Sequence, residues 1–407
     1  MVHYGTISKE QNVIQLAKIT DNLSGQPMFN LMVEARKLEL KGRSIIHFEI
    51  GDPDSCSPPS AKSALIKSIR DDQTHYTPSK GLPDLRQAII EKYPSLELTL
   101  DNVLVCPANA IIDFTIRCVA NPGDEVIIPD PGFPTYISAL AYNDITAVPV
   151  PLREENGFAM MPEDIEAAIT DKTKLIIINT PNNPTGAILS TNQVINIAQI
   201  ARKHGIFLLS DEVYERIIYA LEEDPDFLYH VSPSFVDKCK ENTIVLNSLS
   251  KSYAMSGWRI GYAIGPEAVI NKMGLLLQTI LSCVPEFTQR GAIAALKNGY
   301  QFNEDYLATL RNRRDLLVPG LNEVPGVSCL TPNGAFYAFA NIKKTGMTSE
   351  EFSHMMLHEA GVCCLPGNCF GANGEGYVRF CYASTNERDI KIALVRMQEL
   401  CAVKNFV

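Results

Sequence analysis

No stretch of this sequence approaches the roughly 20 consecutive apolar residues that cross a bilayer; its apolar runs are short, as at Leu175–Ile178 and Leu275–Leu277. The opening MVHYGTISKEQNVIQLAKI lacks the uninterrupted apolar core of a secretory signal. The 11 cysteines are odd in number and none forms a C-x-x-C pair, so the sequence gives no sign of a disulfide framework. These absences predict a reduced, cytoplasmic chain without a membrane segment. Positive charge is in deficit too. Lys and Arg number 36 against 46 Asp and Glu, and the formal net charge of −10 opposes non-specific attraction to nucleic acid or anionic membrane. G-x-G-x-x-G and G-x-x-x-x-G-K-[ST] are missing, which removes the simplest nicotinamide and P-loop readings, and there is no G-x-S-x-G elbow. Internal repeats, long charge blocks and Gly/Ser linkers are absent as well.

What is present is the composition of an ordinary globular protein: 407 residues, 46% hydrophobic and 20% charged, with 25 Gly and 25 Pro scattered along the chain. That length is a prior for two or three domains. From about residue 100 to 265, short β-branched runs alternate with longer helical patterns, which predicts an α/β sheet covered on both faces. The expected strands are Asn102–Cys106, Glu125–Pro129, Lys174–Asn179, Ile206–Ser210, Thr243–Asn247 and Arg259–Ile264. Helices are expected at Ala108–Val119 and at Thr191–His204, the latter opened by Ser190 as N-cap. Beyond Pro285 the pattern changes to amphipathic helices, Gln289–Lys297 and Glu304–Val318. Short strands follow around Val327–Leu330, Ala335–Asn341 and Tyr377–Tyr382, an α+β region.

The chemistry gathers at the ends of the expected strands, where open α/β sheets place their ligands. N-S-L-S-K follows one strand and brings Lys251 behind Ser248 and Ser250, with Arg259 close by in G-W-R-I-G. A lysine at a buried strand end is costly unless paired or covalently used, and once deprotonated it attacks a carbonyl; the hydroxyls and the arginine fork suit a phosphate. S-D-E-V-Y places Asp211 where a buried carboxylate can hold a protonated ring nitrogen, with Tyr214 three residues on. N-T-P-N-N-P-T-G stiffens the turn that carries Asn183, and D-P-G-F-P-T-Y sets Phe133 on a constrained turn where its ring can stack on a planar ligand. Taken singly, each string is equally a solvated loop, a helix cap, an ordinary turn or a core aromatic. Together they supply an amine, an anion for a ring nitrogen, a hydrogen-bond donor and a stacking face.

These strings, with Y-T-P-S-K-G-L-P-D-L-R at 76–86, occur in order from about Gly51 to Arg379, and in them the chain resembles the class I/II pyridoxal-phosphate aminotransferases, the aspartate aminotransferase superfamily of fold type I. The resemblance implies a large domain with a mostly parallel seven-stranded sheet flanked by helices, plus a smaller α+β domain. It divides the chain into an N-terminal arm and part of the small domain at 1–55, a large cofactor domain at 56–301, and a small C-terminal domain at 302–407. It further implies that Lys251 forms the internal aldimine with pyridoxal 5'-phosphate and that Asp211 pairs with the pyridinium nitrogen. By the same resemblance Tyr214 and Asn183 bind the phenolic oxygen, Phe133 stacks on the ring, and Ser248 and Arg259 take the phosphate. Tyr76 would reach that phosphate from the partner subunit of a homodimer. Arg379, in G-Y-V-R-F-C-Y, would bind the substrate α-carboxylate, with the backbone of Gly51 beside it and Asn183 in reach. The activity implied is ping-pong transfer of an amino group between an L-amino acid and a 2-oxo acid.

Where many relatives have a glycine-led phosphate loop, this chain has Cys106-Pro-Ala-Asn-Ala110. Main-chain N–H groups at a helix start hold phosphate without glycine, so Asn109 and Ala110 are kept as cofactor contacts. One aspartate-specific branch carries a lysine in this loop and none is present here, which argues against dedicated aspartate use. A C–S lyase or synthase on the same scaffold would share every cofactor residue, and a non-catalytic cofactor-binding regulator is the alternative of another class. His354 and His358 lie four apart on an expected helix with no third ligand evident nearby, so they are read as a helix face and no metal is expected.

Overall fold

The computed structural model describes residues 15–23, 25, 27–219 and 230–406; the beginning of the N-terminal arm expected at 1–55 lies outside them. In chain order the strands are β1 (Ile46–His47), β2 (Val103–Val105), β3 (Glu125–Asp130), β4 (Thr146–Pro151), β5 (Thr173–Asn179), β6 (Phe207–Asp211), β7 (Thr243–Ser248), β8 (Gly261–Ile264), β9 (Ser328–Cys329), β10 (Tyr337–Asn341), β11 (Val362–Cys363), β12 (Leu365–Pro366) and β13 (Tyr377–Cys381). The apolar run in β5 shows why the large sheet forms. Leu175 and Ile177 pack into one apolar layer, Ile176 and Ile178 into the layer on the opposite side, and all are buried. A strand with period-2 side chains and no polar face is stable only with cover on both sides.

That sheet has seven strands in the order β2-β8-β7-β6-β5-β3-β4. Pairing is parallel from β7 through β6, β5 and β3 to β4, and β8 runs against both β2 and β7. The α/β expectation holds, with β4 as an edge strand that the sequence pattern did not name. Helices Ala108–Val119, Pro134–Tyr142 and Glu267–Ile280 cover one face. The other face is covered in part by Thr191–Lys203, whose start carries the expected Ser190 cap in a reciprocal capping box with Gln193. Helix Glu286–Asn298 packs against Pro59–Arg70 beside β2 and β8.

A second, four-stranded antiparallel sheet has the order β12-β13-β10-β9, and β1 pairs in parallel with β11. Helices Tyr300–Asn322 and Glu387–Val403 pack together over it, and Phe336, Phe352, Phe380 and Tyr382 fill the core between. β1 therefore ties the segment before residue 50 to the C-terminal part of the chain.

Candidate active site

Asn179, Asp211 and Ser248 are the last residues of β5, β6 and β7, three adjacent parallel strands, so their polar groups line up along one edge. Asn179 stands opposite Asp211 in the register, and its Nδ2 donates to the Asp211 carbonyl at 3.0 Å. Its Oδ1 accepts from the Asn183 amide at 2.8 Å, which fixes the turn carrying Asn183. Asp211 is 4% exposed. Its Oδ2 accepts from the Tyr136 hydroxyl at 2.6 Å and its Oδ1 from the Val213 amide at 3.3 Å. Burial pushes this carboxyl up to about 6, with those two hydrogen bonds opposing the rise.

Lys251 lies on the short helical turn Leu249–Ser252 directly after β7. Ser248 caps the turn, its hydroxyl oxygen accepting from the Ser250 amide at 3.1 Å. The lysine Nζ donates to the Gly51 carbonyl and lies 5.9 Å from the Phe336 ring. Burial pulls this amine below the ordinary lysine value, and Arg379 and Arg259 act in the same direction. Gly51 has no room for a side chain, because a Cβ there would come within 2.2 Å of the Tyr337 hydroxyl. Arg259 turns into β8 through a left-handed residue, φ 53°, and donates from Nη1 to the Ser256 carbonyl at 2.7 Å.

Arg379, in β13, comes from the second sheet and is 1% exposed. Its Nη1 donates to Asn183 Oδ1 at 2.9 Å and its Nη2 to the Glu49 carbonyl at 2.6 Å. The guanidinium lies 4.5 Å from the Tyr337 ring, and Nε is buried without a hydrogen-bond partner among the described residues. Tyr214 meets Tyr337 hydroxyl to hydroxyl at 2.8 Å.

One cavity of about 530 Å³ lies between the two sheets. Lys251, Asp211, Tyr214, Asn183, Phe133, Asn109, Ser248, Arg259, Gly51 and Arg379 line it, as the sequence reading grouped them. Two guanidiniums, Arg259 and Arg379, and the Lys251 amine share the cavity with two carboxylates, Asp52 and Asp211, so it offers cationic partners to an anionic ligand in a chain of net charge −10. The loop after β2 requires a correction. Ala110 does not line the cavity, and its N–H is spent on the Pro107 carbonyl at 3.0 Å. Ala108 and Asn109 line it instead, and first-turn amides of the helix that starts at Ala108 have no carbonyl within that helix to serve. Tyr76 is 87% exposed and outside the cavity of its own chain.

Tyr136, Tyr337 and Asn179 were not singled out from sequence. Tyr136 carried a signal, lying one helical turn beyond Phe133 in the same string, and Asn179 opens its own motif. Tyr337 carried none: it lies 123 residues from Tyr214 in sequence, and the two hydroxyls meet only where the second sheet packs beside the end of β6.

A buried amine of weakened basicity, a carboxylate at the floor, an anion-favouring helix start and an arginine with a spare buried donor fit pyridoxal phosphate bearing a substrate carboxylate, and the arrangement defines an enzyme using that cofactor. The family described as aminotransferase class I and II matches residues 43–397. The chain is 38% identical to an aspartate aminotransferase of Pyrococcus horikoshii over 367 residues, 89% of this chain and 91% of the relative. It is 34% identical to an arginine–pyruvate transaminase of Pseudomonas aeruginosa over 343 residues, 83% and 86% of the two chains. The solved aspartate aminotransferase of Thermus thermophilus with maleate superposes with a TM-score of 0.89 at 30% identity, covering 95% of this chain and 100% of the other. The chain belongs to the class I and II aminotransferases. It is a pyridoxal-phosphate-dependent transaminase of the aspartate aminotransferase fold, acting on amino acids and 2-oxo acids.

Proposed function

We propose that Lys251 is the residue that carries the cofactor and that the cavity around it performs amino transfer in two half-reactions. The observation that carries this reading is the meeting, in one cavity, of Lys251 from the β7–β8 connection, Asp211 from β6 and Arg379 from the second sheet. When bound, pyridoxal phosphate supplies an aldehyde that condenses with amines and a ring that accepts an electron pair. Burial weakens the basicity of Lys251, so its Nζ would be the nucleophile toward that aldehyde and, when free, the base and acid for the substrate Cα proton. Asp211 would pair with the ring nitrogen and favour a proton there. Tyr214 and Asn183 would hold the phenolic oxygen, and Phe133 would stack on the ring. Ser248, Arg259 and the amides of Ala108 and Asn109 receive the phosphate. Arg379, anchored by Asn183 and the Glu49 carbonyl, would take the α-carboxylate and so orient the substrate.

The working unit proposed is a homodimer in which Tyr76 completes the partner's phosphate site. Thr77 donates its backbone N–H to Cys283 Sγ at 3.5 Å, which ties the segment carrying the outward-facing Tyr76 to the turn after the exposed Ile280 and Leu281. Exposed apolar side chains of this kind suit a subunit contact. A cytoplasmic location is supported by the 11 cysteines, all unpaired. The proposed domain division is 1–55 with 302–407 against 56–301, with Arg379 and Lys251 on opposite sides of the junction.

Borohydride reduction of the holoenzyme followed by peptide mapping should place the label on Lys251. Lys251→Ala should lose the reducible chromophore and at least about 10²-fold in turnover. A panel of amino acids scored by conversion to the aminated cofactor then reports the donor. Label on another lysine, or parental turnover in Lys251→Ala, overturns the assignment.

A further inference from the structure

His354 and His358 acquire in the fold a partner that the sequence does not reveal. Helix Ser349–Met355 continues into a π-helical turn, Met356–Ala360, so the two histidines straddle the change of pitch. Their rings stack at 4.1 Å between centroids with 27° between planes. Glu34, on the N-terminal helix Pro27–Leu40, meets His358 Nε2 with Oε1 at 2.8 Å. One ligand atom from each of Glu34, His354 and His358 falls within 4.8 Å of the others. π-Turns are rare and recur at functional sites.

We propose that Glu34, His354 and His358 form a binding site for a divalent cation of the zinc type, joining the N-terminal helix to the helix at 349–360. Two imidazoles and a carboxylate are the donor set of three-ligand zinc sites, whose fourth position is taken by water. The 2.8 Å separation of Glu34 from His358 is a hydrogen-bond distance. Ligand atoms each about 2.0 Å from a tetrahedral ion stand roughly 3.3 Å apart, so Glu34 and His358 open by only a few tenths of an ångström, whereas the exposed His354 ring has to turn out of its stack on His358 to aim a nitrogen at the same ion. The two elements are already docked. Ala35 and Leu357 share a buried apolar cluster with Cys363, and Arg43 Nη2 donates to the His358 carbonyl at 2.6 Å, so the ion would bridge two elements that already pack together. The other grouping of this kind, His47 with Glu49 and Cys363, is internally satisfied, since both His47 nitrogens are paired with Glu39 and Glu49. The site has a consequence for the active centre, because the same N-terminal helix sends Met28 and Phe29 to the cavity wall.

The test is calorimetric titration of Zn²⁺ into untagged holoenzyme freed of metal, repeated on His354→Ala, His358→Ala and Glu34→Gln. The parent should bind one ion per protomer, and its thermal midpoint should rise with zinc concentration. Each histidine variant should lose more affinity than the about 10- to 100-fold that removal of an outer-shell partner costs. The metal-free variants should keep the parental midpoint, which separates loss of a ligand from loss of the fold. No saturable binding below about 1 mM, or equal affinity in parent and both histidine variants, overturns the proposal.

Discussion

Asp211 illustrates how a single residue can be costly to the fold and, in the role proposed for it, useful to the reaction. Burial raises its carboxyl from 3.8 to about 6, so the folded, cofactor-free chain holds this proton more tightly than the unfolded one. Stability from this group therefore falls as pH rises from about 4 to about 6, and the full penalty applies above that window. Asp211→Asn removes the charge while leaving an acceptor for the Tyr136 hydroxyl. The cofactor-free variant should be more stable than the parent by on the order of 2 kcal/mol at neutral pH, and the two should converge in acid. Urea unfolding across that range checks it, and a difference independent of pH would count against the assignment. Activity should fall by about 10² or more, because a neutral amide cannot keep the ring nitrogen protonated.

At the scale of elements, Ser190 offers a cleaner test, since its hydroxyl caps helix Thr191–Lys203 away from the cavity. Ser190→Ala should cost about 0.5–2 kcal/mol in urea unfolding with turnover unchanged; a loss of activity at full stability would be unexpected. The same elements show what the sequence made legible. β5, β6 and β7 were read to within a residue because double-sided burial leaves unbroken apolar runs ended by polar catalytic candidates. β4 is hard to read because its alternate prolines, Pro149 and Pro151, and its half-buried or exposed side chains, Val150 apart, imitate a loop. Helix Tyr300–Asn322 was expected to stop at Val318, yet it continues through Pro319. Leu317, Val318 and Leu321 are all buried in the C-terminal core, and that packing outweighs the hydrogen bond proline cannot make. In the site, residues inside motifs were legible, whereas Tyr337 and the Glu34 contact to His358 depend on pairings between distant segments that no local pattern encodes.

For the whole molecule, the proposed dimer makes cofactor retention a property of two chains. Tyr76→Phe removes one hydroxyl from a surface residue and should weaken pyridoxal phosphate binding by about tenfold, the scale of one hydrogen bond to a charged group, without altering unfolding of the cofactor-free chain. Sedimentation across a dilution series should show the cofactor leaving as the dimer dissociates. A fully active monomer would refute the shared site.

Lys251 and Arg259 lie on a single connection, the chain that leaves β7 and returns at once as β8, with Ser248 paired to Gly261 at its base. The two strands clamp that connection like the fixed jaws of a caliper. A ligand that engages both the amine and the guanidinium meets two side chains whose backbone the paired strands hold in place. Analogues with a longer or shorter arm between aldehyde and phosphate would thus be disfavoured by the reach those side chains allow.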